Sequence, residues 1–148
     1  MNRVKTSSRI LNAAAGWIGT PYRHQASLKG VGCDCLGLIR GVWREVYGAE
    51  PEAPEPYAPD WAERGGVERL AAAALRHFGP PLARADALPG DVLLFRWRAG
   101  VAAKHIGILA DECRFIHAYE QAGVIVSPLV PSWARRIAFV HRFPELQG

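Results

Sequence analysis

The sequence predicts an α+β fold: N-terminal helices packed on a roughly five-stranded antiparallel sheet. Two observations carry that expectation. Up to about Phe78 the apolar residues recur at helical spacing, and from Pro89 onward they fall into short runs divided by turn residues. The connections between those runs are too short for parallel crossovers, so the strands must pair antiparallel. The 148 residues are most economically one domain, 1–148, with no internal repeat.

The elements follow in order. "MNRVKTSSRILNAAAGWIGT" reads as an amphipathic helix capped near Thr6 or Ser7, with Ile10, Ala14, Trp17 and Ile18 on one face. Residues 19–34 form a loop punctuated by Pro21, Gly30 and Gly32. A second helix runs from about Asp34 to Tyr47, where Leu36, Ile39, Trp43, Val46 and Tyr47 repeat at helical spacing and Gly48 suits the stop. Gly37 and Gly41, four residues apart, imply another backbone lying close against that face. "AEPEAPEPYAPDWAERGG" carries prolines at 51, 54, 56 and 59, which exclude regular helix and central strand. "VERLAAAALRHF" makes a third helix ending at Gly79, Pro80 and Pro81, so a Pro-rich plus helical insertion spans about 49–82. "DVLLFRW", "KHIGILA", "RFIHAY", "GVIVSPL" and "RIAFVHRF" are then the five strands.

Composition excludes several classes. With 49% hydrophobic and 22% charged residues the chain is an ordinary globular one. The net charge of +4 comes from scattered residues and reads as a solvated surface; a nucleic-acid partner is not expected, although an anionic polymer such as cell wall would suit it. No run is long and apolar enough for a membrane span, and the N-terminal apolar run is broken by Asn12 and Gly16, so neither membrane insertion nor a signal peptide is expected.

Three cysteines do not make a disulfide framework, yet two of them, Cys33 and Cys35, stand one residue apart before the second helix. A structural zinc site wants four ligands in recognisable pairs, and C-x-C has no second pair here. Cys33 and Cys113 read as small buried hydrophobes. Cys35 falls in the first helical turn, where unpaired N–H groups and the helix dipole favour a thiolate and so lower the thiol pKa. Asp34 caps the helix, while its charge slightly opposes that shift.

His105 and His117 each sit inside an apolar strand. A register pairing residues whose numbers sum to 222 sets them directly opposite on one sheet face. One imidazole then takes the thiol proton and the other orients it; a one-residue slip would put the rings on opposite faces. His24 lies in the loop, His77 near a helix end, and His141 in the last strand, where it competes for the orienting role.

"GTPYRHQASLKGVGCDCLG", "PGDVLLFRW" and "KHIGILADECRFIHAYEQAGVIVSPL" together resemble the NlpC-type papain-like cysteine peptidases, in the family's order over roughly residues 10–143. The resemblance implies Cys35 as nucleophile, His105 as general base, His117 as third, orienting residue, and Tyr22 as a tyrosine whose hydroxyl helps form the oxyanion site. It implies no metal or organic cofactor, and hydrolysis of amide bonds in peptidoglycan stem peptides, usually between γ-D-glutamyl and a diamino acid. Within the family, "GCDCLGLIRGVWREVYG" and "AKHIGIL" look most like the cell-wall peptidases of phage tails and gene transfer agents. That implies synthesis in the bacterial cytoplasm, tail-tip or baseplate partners, and action in the cell wall or periplasm on a phage-like particle. Two departures stand out: Leu36 replaces the usual serine, and the 70 residues from Cys35 to His105 exceed the family spacing by the 49–82 insertion. Tyr57 and Trp61 in that insertion suit either docking on a tail protein or packing onto the domain itself. Acyl transfer by the same site, or a tail-tip adaptor with vestigial activity, are the alternative readings.

Overall fold

The computed structural model describes residues 2–51 and 69–147. Its elements are α1 (Asn2–Gly16), β1 (Ser27–Leu28), β2 (Gly32–Cys33), α2 (Cys35–Tyr47), α3 (Arg69–Phe78), β3 (Val92–Phe95), β4 (His105–Leu109), β5 (Arg114–Tyr119), β6 (Gly123–Pro128), α4 (Pro131–Ala134) and β7 (Ile137–His141). The last five strands form one antiparallel sheet in the order β6-β5-β4-β3-β7. The expected α+β architecture is the observed one. The expectations for Tyr57 and Trp61, and for prolines 54, 56 and 59, lie outside the described residues.

Both faces of the sheet are covered, which is why β3 and β4 are buried along their whole length. On one face Val92, Leu94, Ile106, Ile108, Ile116 and Ala118 pack against Ile10, Ala14 and Trp17 near α1 and against Leu38, Ile39, Val42 and Val46 of α2. On the other, Leu93, Phe95, Leu109, Phe115 and Val140 form a second cluster under Trp133 and Ile137. The two-residue alternation of a strand sorts the sets. Each fully buried aliphatic or aromatic side chain contributes about 1.5–3 kcal/mol.

Several local expectations are corrected. Thr6 does not cap α1: the helix already runs from Asn2, and the Thr6 hydroxyl donates to the Asn2 carbonyl while accepting the Leu146 N–H, tying the C-terminal segment to the helix. Ile18 is exposed, because α1 ends at Gly16 and the chain turns away. The loop before α2 contains a small hairpin, with Ser27 opposite Cys33. At Gly37 a backbone does lie close, for a Cβ there would clash with the Ala26 carbonyl oxygen. At Gly41 the close neighbour is the Trp17 indole, which a Cβ would strike, so that glycine makes room for a ring. Cys113 is exposed in the β4–β5 turn, not buried.

The register is also corrected. Ile108 pairs with Ile116 and Leu109 with Phe115, so partner numbers sum to 224 rather than 222. His117 therefore stands across from Gly107, and His105 is its diagonal neighbour on the same face. The slip is two residues, so the faces are kept.

Candidate active site

The site forms where two elements end. α2 begins at Cys35 because Asp34 is an extended N-cap whose Oδ1 accepts the Gly37 N–H at 2.7 Å. The other oxygen, Oδ2, accepts the Gln25 N–H at 2.8 Å, with His24 Nδ1 at 3.9 Å. One buried carboxylate thus fixes both the helix start and the preceding loop. β2 holds that loop from the other side: the Cys33 N–H donates to the Pro21 carbonyl, and Tyr22 bridges to Cys33. Cys33 itself is buried, its thiol pushed up to about 12 by burial and then by Asp34, which suits a structural residue.

The β4–β5 ladder stops at Ile108–Ile116, before the histidine ends of the two strands. Beyond that point the Ile106 N–H, with the N–H groups of Leu36 and of Cys35 itself, lies close enough to the Cys35 thiol to lower its pKa. The sulfur therefore rests against the residue that follows His105. Burial, then the Asp34 carboxylate, push the Cys35 thiol up to about 12, against the lowering effect of those three amides. The sequence argument from the helix start expected a depressed pKa; desolvation outweighs the helix start here.

The histidines form a relay. His105 Nε2 lies 2.8 Å from His117 Nδ1, and His117 Nε2 lies 2.8 Å from Ser127 Oγ. All three residues are buried. Aromatic rings enclose them: Trp97 stacks on His105 with centroids 5.4 Å apart, Trp133 lies 5.8 Å from His105 and 5.2 Å from His117, and Phe115 lies 4.3 Å from His117. Burial, then His117 and Lys104, pull the His105 pKa down to about 3; burial alone pulls His117 to about 4. Both rings are neutral at pH 7. With Nε2 of His105 committed to His117, Nδ1 is the nitrogen left to exchange a proton with a thiol.

Tyr22 is half-buried, and its hydroxyl titrates well above the usual tyrosine range because of burial first and the Cys35 charge second. It is a protonated donor placed within the field of the thiol. His141 is elsewhere, its Nδ1 3.1 Å from the Gly79 carbonyl oxygen, so it does not compete for the orienting role. His77 belongs to α3.

Sequence reasoning missed Ser127 and Trp133. Ser127 lies ten residues after His117, and the β5–β6 register sets it opposite Phe115, on the His117 face. Trp133 sits on a four-residue helix, α4, too short for any periodicity to reveal.

The profile of the NlpC/P60 family matches residues 19–142. Over 137 residues the chain is 31% identical to the murein DD-endopeptidase MepS/murein LD-carboxypeptidase of Escherichia coli K12, covering 92% of this chain and 62% of that protein. It is 28% identical over 138 residues to the gamma-DL-glutamyl hydrolase of Bacillus subtilis strain 168, covering 93% of this chain and 29% of that one. The chain thus spans less than two thirds of the length of these relatives. Among solved structures, the NlpC/p60 domain of the peptidoglycan hydrolase SagA superposes with a TM-score of 0.62 at 22% identity, covering 93% of this chain and 98% of that one.

Proposed function

The chain belongs to the NlpC/P60 family, and on that footing we propose that it is a cysteine peptidase hydrolysing amide bonds in peptidoglycan stem peptides. The observation that carries this reading is the meeting of the Cys35 sulfur, at a helix start, with the strand end that bears the His105–His117–Ser127 relay.

The chemistry starts from a neutral pair. A lone thiolate or a lone imidazolium is disfavoured in this buried site, so the proton moves from sulfur to Nδ1 of His105 as the sulfur attacks the substrate carbonyl. A C–S bond forms and the carbonyl electron pair moves to oxygen, which the Cys35 N–H and the Tyr22 hydroxyl receive. His117 accepts the Nε2–H of His105 and holds it in the required tautomer; its own Nε2–H donates to Ser127. Collapse breaks the C–N bond, and the departing amine takes the proton from His105. Water then gives a proton to His105 and its oxygen to the thioester carbon, the C–S bond breaks, and the sulfur regains its proton. No metal or organic cofactor enters any step.

The γ-D-glutamyl–diamino acid bond is the proposed target; the relatives named as murein and glutamyl hydrolases support that substrate class. We propose further that the enzyme is made in the bacterial cytoplasm and acts in the cell wall or periplasm at the tail tip or baseplate of a phage-like particle. Support for that setting is the resemblance of "GCDCLGLIRGVWREVYG" and "AKHIGIL" to phage-type enzymes. Digestion of purified peptidoglycan, with fragments identified by mass, tests the activity. Wild-type protein should release peptides cut at one amide bond, and Cys35→Ala should release none; equal release by both would overturn the reading.

A further inference from the structure

The aromatic wall beside the histidines carries an unneutralised cation. The Arg136 guanidinium lies over Trp97 at 5.6 Å and over Trp133 at 5.9 Å, the two indoles that pack on His105. No ion pair joins Arg136 to a carboxylate among the described residues. Arg135, beside it in sequence, and Arg98, beside Trp97, are exposed and carry charge of the same sign, and Lys104 lies 5.8 Å from the Trp97 ring. From Val92 to Ala110, and again from Leu129 to Pro144, the sequence holds no Asp or Glu. Two other half-buried arginines are matched by carboxylates, Arg142 by Asp91 and Arg40 by Glu50. Here the guanidinium sits over two indole rings and has no carboxylate partner among the described residues, which leaves its N–H fork for another acceptor.

The side of the site that this wall occupies has chemical meaning. In acyl transfer to a thiol, the base that protonates the departing amine must lie against the leaving group, so the His105 side receives the amine half of the substrate. We infer that Arg136 is a specificity-determining residue that binds a carboxylate on the amino acid contributing the departing amine. This rests on the peptidase reading and deepens it. The substrate class it selects is an amide whose amine-side residue bears a further carboxylate, in preference to the carboxamide form of the same residue. A guanidinium–carboxylate pair at a half-buried site should discriminate by roughly tenfold.

The test uses two synthetic stem peptides, identical except that the amine-side residue carries a carboxylate or a primary carboxamide. For the wild type, kcat/KM for the carboxylate should exceed that for the carboxamide by about tenfold, mainly through KM. In Arg136→Gln the ratio should fall toward one, and Arg136→Lys should restore part of it. A ratio unchanged in Arg136→Gln overturns the inference, as does an equal loss on both peptides, which would mean that Arg136 only braces the indoles. Hydrolysis of neither peptide by the wild type would overturn the peptidase reading as well, so the two failures are distinct.

Discussion

Nε2 of His105 lies 2.8 Å from Nδ1 of His117, although the register sets His117 across from Gly107 and makes His105 its diagonal neighbour. The contact is possible because the residue opposite His117 has no side chain. A Cβ on Gly107 would meet the Ile116 carbonyl oxygen at 3.0 Å, the His117 Cβ at 3.1 Å and Phe115 Cδ2 at 3.2 Å. Gly107→Ala should therefore displace His117 by a few tenths of an ångström and lower kcat about tenfold with little change in KM. Steady-state kinetics on a stem peptide decides it; an unchanged kcat would show that the relay tolerates the shift.

The pH profile follows from the direction of the histidine shift. His105 works as a base only when neutral, and burial places its protonation at about 3 rather than the ordinary 6.5. Activity should stay nearly level from pH 8 down to pH 5, then fall as His105 takes up a proton. An acid limb centred between pH 6 and 7 in kcat/KM would contradict the buried, neutral relay.

Stability should respond to the same burial. His105, His117 and His141 all have folded pKa values below their unfolded value, so below about pH 6.5 the unfolded chain binds protons that the folded one refuses. Their contribution is fully present above pH 6.5 and is lost as pH falls, through about 4 for His117 and about 3 for His105. Within that window each contributes a slope of at most about 1.4 kcal/mol per pH unit. Denaturant unfolding at pH 7 and pH 5 should show the loss, and His141→Asn should reduce the slope. A pH-independent midpoint across this range would contradict it.

Asp34 couples the helix cap to the thiol. Asp34→Asn keeps an oxygen for the Gly37 N–H but removes the charge that helps raise the Cys35 pKa. The variant should be alkylated at Cys35 by iodoacetamide several-fold faster than wild type at pH 8, at a cost of about 1 kcal/mol in stability from the weakened loop contacts. Peptide mapping reads the labelling at each cysteine. Slower labelling of Cys35 in the variant would show that the carboxylate activates the thiol instead.

Much of this is legible in the sequence. The strands were readable because Leu93, Phe95, His105, Leu109 and their neighbours fall in short apolar runs between turns, and α2 was readable from Asp34 to Gly48 through its cap, periodicity and stop. The face shared by His105 and His117 follows from parity alone, which survives a two-residue slip in register. Other features depend on long-range packing. Nothing local shows that the β4–β5 ladder ends at Ile108, that the Ile106 N–H lies close to the Cys35 thiol, or that Trp133 closes over both histidines. The direction of the Cys35 shift is hidden for the same reason: a helix start is visible in sequence, and the desolvation that outweighs it is not.

On the peptidase reading Cys35, with His105 as its base, carries an acyl group from the substrate. Intact-protein mass spectrometry after rapid acid quench with a stem peptide tests it most directly, since a thioester adds the mass of the acyl fragment to one residue. The wild type should carry that adduct on Cys35, Cys35→Ala should lose it together with turnover, and His105→Ala should form it slowly. An adduct on Cys33 or Cys113, or turnover that persists in Cys35→Ala, would contradict it.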